Sequence, residues 1–187
     1  MRAARSPRLG RRSSTTNVAN LWFIDSGAYS QKEDIGISGY DWIRPSQIAW
    51  YTTEAKRVQA ENGGRVAPAL AFFHIPIPEY ELVTDKLGDT QENVADAQVN
   101  SGMFTAFVDA GDVRATFVGH DHTNDYCGKY YNIHLCYGGG VGYGTYGKVG
   151  WARRSRVIEF RNNGTSVVTW KRLDDEALTR KDDQVLF

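Results

Sequence analysis

Phe117-Val118-Gly119-His120-Asp121-His122-Thr123-Asn124-Asp125 sets two histidines two residues apart directly after an apolar run. The run reads as a strand over 115–118, and Gly119 lets the chain turn sharply as it leaves the sheet. Imidazoles at such an exit can face one point, and a neutral imidazole nitrogen is a natural metal ligand. A second stretch has the same design: Pro68-Ala69-Leu70-Ala71-Phe72-Phe73-His74-Ile75-Pro76 is an apolar run ending in a histidine, with a proline two residues on to stop the strand. Three of the chain's four histidines thus stand at predicted strand exits, the rim where open α/β sheets carry their chemistry. His134, between Ile133 and Leu135 in a predicted strand, reads as a core residue.

Outward from these two blocks the elements alternate. Leu21-Trp22-Phe23-Ile24 reads as a buried strand ending at the turn signal Asp25-Ser26-Gly27. Pro45 opens a helix whose apolar stripe is Ile48, Ala49, Thr52 and Ala55, and Asn62-Gly63-Gly64 ends it. The polar segment 79–100 reads as an exposed insertion, part loop and part helix. Met103, Phe104, Phe107 and Val108 follow helical spacing up to Gly111. Strands are predicted at 130–135, 155–160 and 166–170, the last two joined through Asn162-Asn163-Gly164, where positive φ is tolerated. The division expected is a disordered basic arm over 1–16, one domain over 17–172, and a charged tail over 173–187, helical or frayed. The order β, α, β, α, β and then a run of strands describes half of a mixed α/β sandwich.

Composition narrows the function. The 187 residues carry no net charge, with 41% hydrophobic and 24% charged side chains, as in a globular protein. No apolar run approaches the ~18 residues of a membrane span, so no membrane partner is expected. Five of the 22 basic residues (Arg2, Arg5, Arg8, Arg11, Arg12) lie in 1–24, which holds no acid. The rest is mildly acidic, which argues against a nucleic-acid partner. The arginine- and serine-rich start has the composition of an organellar transit peptide, but Pro7 and Gly10 interrupt the helix one would need. No apolar segment of a secretory signal follows; a cytoplasmic location is expected, with organellar targeting open. Cys127 and Cys136 flank part of a hairpin and can pair in an oxidising compartment; without a signal peptide, free thiols are the expectation. No Cys-x-x-Cys zinc spacing occurs.

Two further motifs lie between residues 138 and 156. Gly138-Gly139-Gly140-Val141-Gly142-Tyr143-Gly144-Thr145-Tyr146-Gly147-Lys148-Val149 satisfies G-x-G-x-x-G and most of a P-loop. Val149 stands where a P-loop needs Ser or Thr, and no helix follows to hold phosphate at its N-terminus. It reads instead as a flexible loop walling a pocket, with Tyr143 and Tyr146, and Asn124 beside the histidines, as candidate substrate contacts. Trp151-Ala152-Arg153-Arg154-Ser155-Arg156 is either a phosphate clamp or a solvated strand edge.

Read together, Phe72-Phe73-His74-Ile75-Pro76 and Gly119-His120-Asp121-His122-Thr123-Asn124-Asp125 resemble the last two metal-binding blocks of the calcineurin-like metallophosphoesterases, in the purple-acid-phosphatase-like branch of plants and fungi. Flanking blocks agree: Phe23-Ile24-Asp25-Ser26-Gly27-Ala28-Tyr29, Gly39-Tyr40-Asp41-Trp42-Ile43, Asn100-Ser101-Gly102-Met103-Phe104, and Tyr137-Gly138-Gly139-Gly140 with Gly150-Trp151. The likeness runs over 17–170. It implies the C-terminal half of a four-layer α/β/β/α sandwich with a mixed sheet. It further implies metal ligation by His74, His120 and His122, with His120 also a possible transition-state contact. In the intact family an iron, zinc or manganese pair hydrolyses phosphorylated small molecules or phosphoproteins. Three earlier family blocks are absent: the Asp near the first strand, Gly-Asp-x-x-Asp/Tyr, and Gly-Asn-His-Asp/Glu. Gly111-Asp112-Val113-Arg114 lacks the fourth-position acid, and Ala28 stands where the resemblance leads one to expect Asp. Without a bridging carboxylate, three neutral imidazoles do not offset two close divalent charges. The expectation is a phosphatase fragment that holds at most one metal, weakly, with little or no activity by itself. The alternative is a non-catalytic metal- or partner-binding remnant. Half a sandwich should also leave a sheet face bare and prone to association.

Overall fold

Four parallel strands form the spine of the larger sheet in this computed structural model, which describes residues 8–10 and 16–187. They are β2 (Asn17–Phe23), β3 (Ala69–Phe72), β5 (Val113–Val118) and β7 (Ile133–Tyr137), adjacent in that order. Antiparallel strands finish both sides. β1 (Arg8–Gly10) pairs with β2; β6 (Cys127–Tyr130) pairs with β7, and β4 (Thr84–Leu87) with β6. Helix α1 (Pro45–Glu61) carries the chain from β2 to β3, and α2 (Met103–Ala110) leads into β5. A second sheet holds β8 (Arg154–Arg161), β9 (Ser166–Leu173) and β10 (Arg180–Val185), with β9 central.

Alternation along the strands divides the core in two. Ala69 and Ala71 of β3 and Leu135 and Tyr137 of β7 join Tyr51 and Val58 of α1 and Phe104 and Phe107 of α2. Leu70 of β3, Ala115 and Phe117 of β5, and Cys136 of β7 face Val167 and Leu186 of the small-sheet layer. Helices therefore cover one face of the large sheet and the small sheet covers the other, giving three of the four layers expected. The bare face predicted for a half-sandwich is not found, because the run of strands after Trp151 folds back over it.

Pro45 at the first helical position of α1 and Gly111 in the left-handed conformation after α2 end these helices as the sequence indicated. The other expectations are corrected in four places. The segment 79–100 is no exposed insertion: Tyr80, Val83 and Ala97 are buried, and β4 closes the sheet edge. Gly128 permits that edge, since a Cβ there would lie 2.3 Å from the Thr84 carbonyl oxygen. The strand predicted over 130–135 is a hairpin turning at Tyr131, whose φ is +49°. The tail is strand β10, paired with β9, with Leu186 buried. Cys127 and Cys136 are direct cross-strand partners joined in a disulfide, and not free thiols. Of the arm expected over 1–16, residues 1–7 and 11–15 lie outside the described residues.

His134 is a core histidine, 3% exposed. Burial, then the charges of Lys129 and Arg114, push its pKa down to about 4. The unfolded chain takes up that proton near pH 6.5, whereas the folded protein resists it until about pH 4. The stability tied to His134 is therefore whole above pH 6.5 and fades as pH falls through that window. The expected loss reaches on the order of 3 kcal/mol. His134→Gln should remove this component, visible as a smaller gap between urea stabilities at pH 7 and pH 4.5.

Candidate functional site

Because β2, β3 and β5 are parallel neighbours, their carboxyl ends open at one rim. Side-chain and backbone bonds tie the three exits together. Ser26, after β2, accepts from the N–H groups of His74 (3.2 Å) and Ile75 (2.9 Å) through its buried Oγ. The Gly119 N–H donates to the His74 carbonyl at 3.2 Å. One step on, the Asp121 N–H turns back to the Gly119 carbonyl at 2.9 Å, and His120 is left at φ +73°. A non-glycine residue in that conformation costs about 1–3 kcal/mol, and such outliers gather at functional sites.

This turn places His120 Nδ1 3.3 Å from His74 Nε2, with the two rings edge-on. Gly119 keeps the approach open, since a Cβ on it would be 3.2 Å from His74 Nδ1. The ring of Tyr40 packs edge-on to His120 at 4.3 Å between centroids, and Tyr29 stacks on Tyr40. Burial lowers the pKa of both His74 and His120, with the neighbouring imidazoles adding to the effect. Two neutral rings thus bring nitrogen atoms together.

His122 lies close enough for its charge to act on both, but its ring stacks on Tyr146 at 3.9 Å. The Tyr146 carbonyl, which can only accept, takes the Nδ1–H of His122 at 3.0 Å, leaving Nε2 as the lone-pair nitrogen. The Tyr146 hydroxyl accepts the His122 backbone N–H (3.0 Å) and donates to Glu92 Oε2 (2.9 Å). Glu92 Oε1 accepts from the Thr123 N–H at 2.5 Å and its hydroxyl at 2.9 Å. The glycine-rich loop packs directly on this turn: a Cβ on Gly140 would sit 2.6 Å from the His122 carbonyl oxygen.

The acids nearby are committed elsewhere. Asp121 Oδ2 accepts from the Tyr137 hydroxyl at 2.5 Å and the Ala95 N–H at 3.2 Å, and burial raises its pKa. Asp125 binds Lys171 and Arg154. Asp112 accepts from Trp22 Nε1 at 2.8 Å and from the Tyr51 hydroxyl beneath α1. Among the described residues, no group of three or more His, Cys, Asp or Glu side chains is placed to hold a metal ion. The donor set passes one test of fit and fails another. Neighbouring ligands of a tetrahedral metal with bonds of about 2.0–2.1 Å lie about 3.3–3.4 Å apart, which is the His74–His120 spacing. A dinuclear centre needs a bridging carboxylate, and here no carboxylate joins the imidazoles.

Of the predicted site residues, His74 and His120 meet, and His122 stands beside them turned onto Tyr146, which packs on its ring. The Tyr143 hydroxyl bonds Asp174 and its ring is exposed. Asn124 is fully buried, and its Oδ1 accepts from the Gln91 and Glu92 N–H groups, which ties the turn to the 89–92 segment. The basic cluster is neither a phosphate clamp nor a solvated edge. Arg153 binds the carbonyls of Thr145 and Tyr146, Arg154 is buried against Asp125, and Arg156 binds the carbonyls of Tyr137 and Asp125. Ser26, Tyr40 and Glu92 pack around the histidines without having been expected there. Ser26 carried a signal, standing at a strand exit like the two histidines; Glu92 carried none, lying 31 residues from the Thr123 it holds.

No family model matches the chain. It is 44% identical over 91% of its length to "Probable inactive purple acid phosphatase 29" of Arabidopsis thaliana, covering 48% of that protein. It is 43% identical over 92% of its length to "Probable inactive purple acid phosphatase 28" of the same plant, covering 45%. With phosphatase DCR2 of Saccharomyces cerevisiae the identity is 38% over 84% of the chain and 29% of the relative. The chain thus spans about half the length of the plant relatives, and less of the yeast one. Among solved structures, a dimetal phosphatase from Danio rerio superposes with a TM-score of 0.52 at 12% identity, over 79% of this chain and 39% of that one. That likeness concerns the fold, a mixed α/β architecture of the metallophosphoesterase kind.

Proposed function

We propose, from the premise that the homologues of this chain are purple acid phosphatase-like proteins, that it is a metal-binding portion of that phosphatase fold, weakly active or inactive by itself. The observation that carries this reading is the pair of neutral imidazoles, His74 and His120, 3.3 Å apart with no carboxylate between them. One divalent metal, of the zinc, iron or manganese kind, suits the spacing of the pair, with water completing its shell, since His122 is turned onto Tyr146. A metal so held supplies a Lewis acid toward phosphoryl oxygens and acidifies bound water. The chain's own residues do the rest. Ser26 and Gly119 fix the backbone that aims the two rings. Tyr40 walls one side of His120, and Tyr146 with Glu92 holds the His122 turn against the glycine-rich loop. The substrate class is a phosphomonoester, on a small molecule or a phosphoprotein.

The named relatives support the weak-activity side, since two carry "inactive" in their names. The test is hydrolysis of an aryl phosphate by the purified chain with zinc or manganese. Turnover near the uncatalysed rate, unchanged in His120→Ala, is expected. Sustained turnover that His120→Ala abolishes would overturn the reading.

A further inference from the structure

We propose that the cavity at the amino-terminal ends of β5 and β7, at the far end of these strands from His120, binds an organic anion with an apolar body. This cavity is a cleft open to solvent on one side, with a volume of about 510 Å³, within the roughly 300–1,000 Å³ of small-molecule sites. Phe107 of α2, Ile133 of β7 and Leu186 after β10 form apolar walls, so three layers of the fold meet there. Arg114 and Lys129 line the same space, and no carboxylate does.

Both cations are exposed, and neither has an ion-pair partner among the described residues. The Arg114 guanidinium instead lies over the ring of Phe187, 5.4 Å from its centroid. Between them stands His134, 3% exposed, whose Nδ1 is buried with no hydrogen-bond partner. A buried polar atom without a partner is costly, and a pair of uncompensated cations beside it makes the spot electropositive. A cationic ligand is repelled there, and a neutral apolar one leaves both charges unanswered. A carboxylate, sulfonate or phosphate group answers them with charge-assisted hydrogen bonds while its aromatic or alkyl frame fills the walls. Binding should also raise the affinity of His134 for its proton, because an anion offsets the two charges that now oppose it.

The experiment uses the full chain and three probes: 1-naphthalenesulfonate, the neutral analogue 1-naphthalenemethanol, and inorganic phosphate. NMR of the His134 ring reports occupancy of this cavity and is blind to ligands held only at the His74–His120 rim. Saturable movement of the His134 signal with the sulfonate is expected. The double variant R114Q/K129Q should weaken it by about tenfold or more, as should loss of either the charge or the ring from the probe. Both substituted side chains are exposed, and an unchanged thermal transition confirms that the variant folds. A His134 signal that does not move, equal binding of the neutral analogue, or equal binding by the folded double variant would overturn the proposal. None of these outcomes depends on metal binding at the other rim.

Discussion

Asp125→Ala should destabilise the protein by about 3–5 kcal/mol, lowering the thermal midpoint by about 6–20 °C. Asp125 is fully buried and accepts from Lys171 Nζ at 2.6 Å, Arg154 at 2.7 Å and the Asp89 N–H at 2.6 Å. Lys171 is itself fully buried, and its other carboxylate partner is Asp182 of β10. Alanine would strand one buried ammonium and one buried guanidinium, and desolvation of unpaired charge dominates the cost. The loss matters for the site because Asp125 ends the turn that begins at His120. It also ties that turn to both strands of the small sheet that carry Arg154 and Lys171. Although burial works to raise it, hydrogen bonds from Lys171, Asp89 and Arg154 hold the Asp125 carboxyl below its usual range. Its contribution is thus complete above about pH 4, the unfolded value, and is lost only as pH falls through the depressed native value. Urea denaturation of the wild type and the variant measures the difference. A change under about 1 kcal/mol would mean that the network is not a structural tie.

The second large effect is on metal affinity. His120→Ala removes one of two converging nitrogens and leaves alanine at φ +73°. Affinity for zinc should fall by at least about 100-fold, more than loss of an outer supporting group costs. The fold should survive, since His120 is partly exposed and alanine gives up only the packing against Tyr40, keeping the same backbone strain. Tyr146→Phe, by contrast, keeps the stack on His122 but loses the bond to Glu92, so a smaller decrease of about tenfold is expected. Equal losses in the two variants would show that the pair His74–His120 is not the principal donor set.

The parts of this molecule that could be read from sequence share one property: their signal is local. Ala69 to Phe72 and Ala115 to Val118 are apolar runs closed by histidines, so both strands and both site exits were legible, as were Pro45 and Gly111 at helix ends. Strand β10 was not. Arg180-Lys181-Asp182-Asp183-Gln184-Val185 has no apolar alternation, and it forms a strand because β9 offers backbone partners and Lys171 offers a charge to Asp182. Lys171 was hidden for the same reason, as a lysine reads as a solvated residue until its partners are known. The segment 79–100 misled because its polar groups are spent inward: Glu79 on Asn100, and Glu92 on Thr123 and Tyr146. The histidine motif pointed to three imidazoles at strand exits, and the structure brings His74 and His120 together. The motif could not predict that His122 would lie on a tyrosine 24 residues away.

Isothermal titration of the purified chain with zinc, repeated with manganese, bears most directly on the central claim of a carboxylate-free imidazole pair. One weakly bound equivalent, lost in His74→Ala and His120→Ala, is the result predicted. Two tightly bound equivalents, accompanied by turnover of an aryl phosphate, would contradict it.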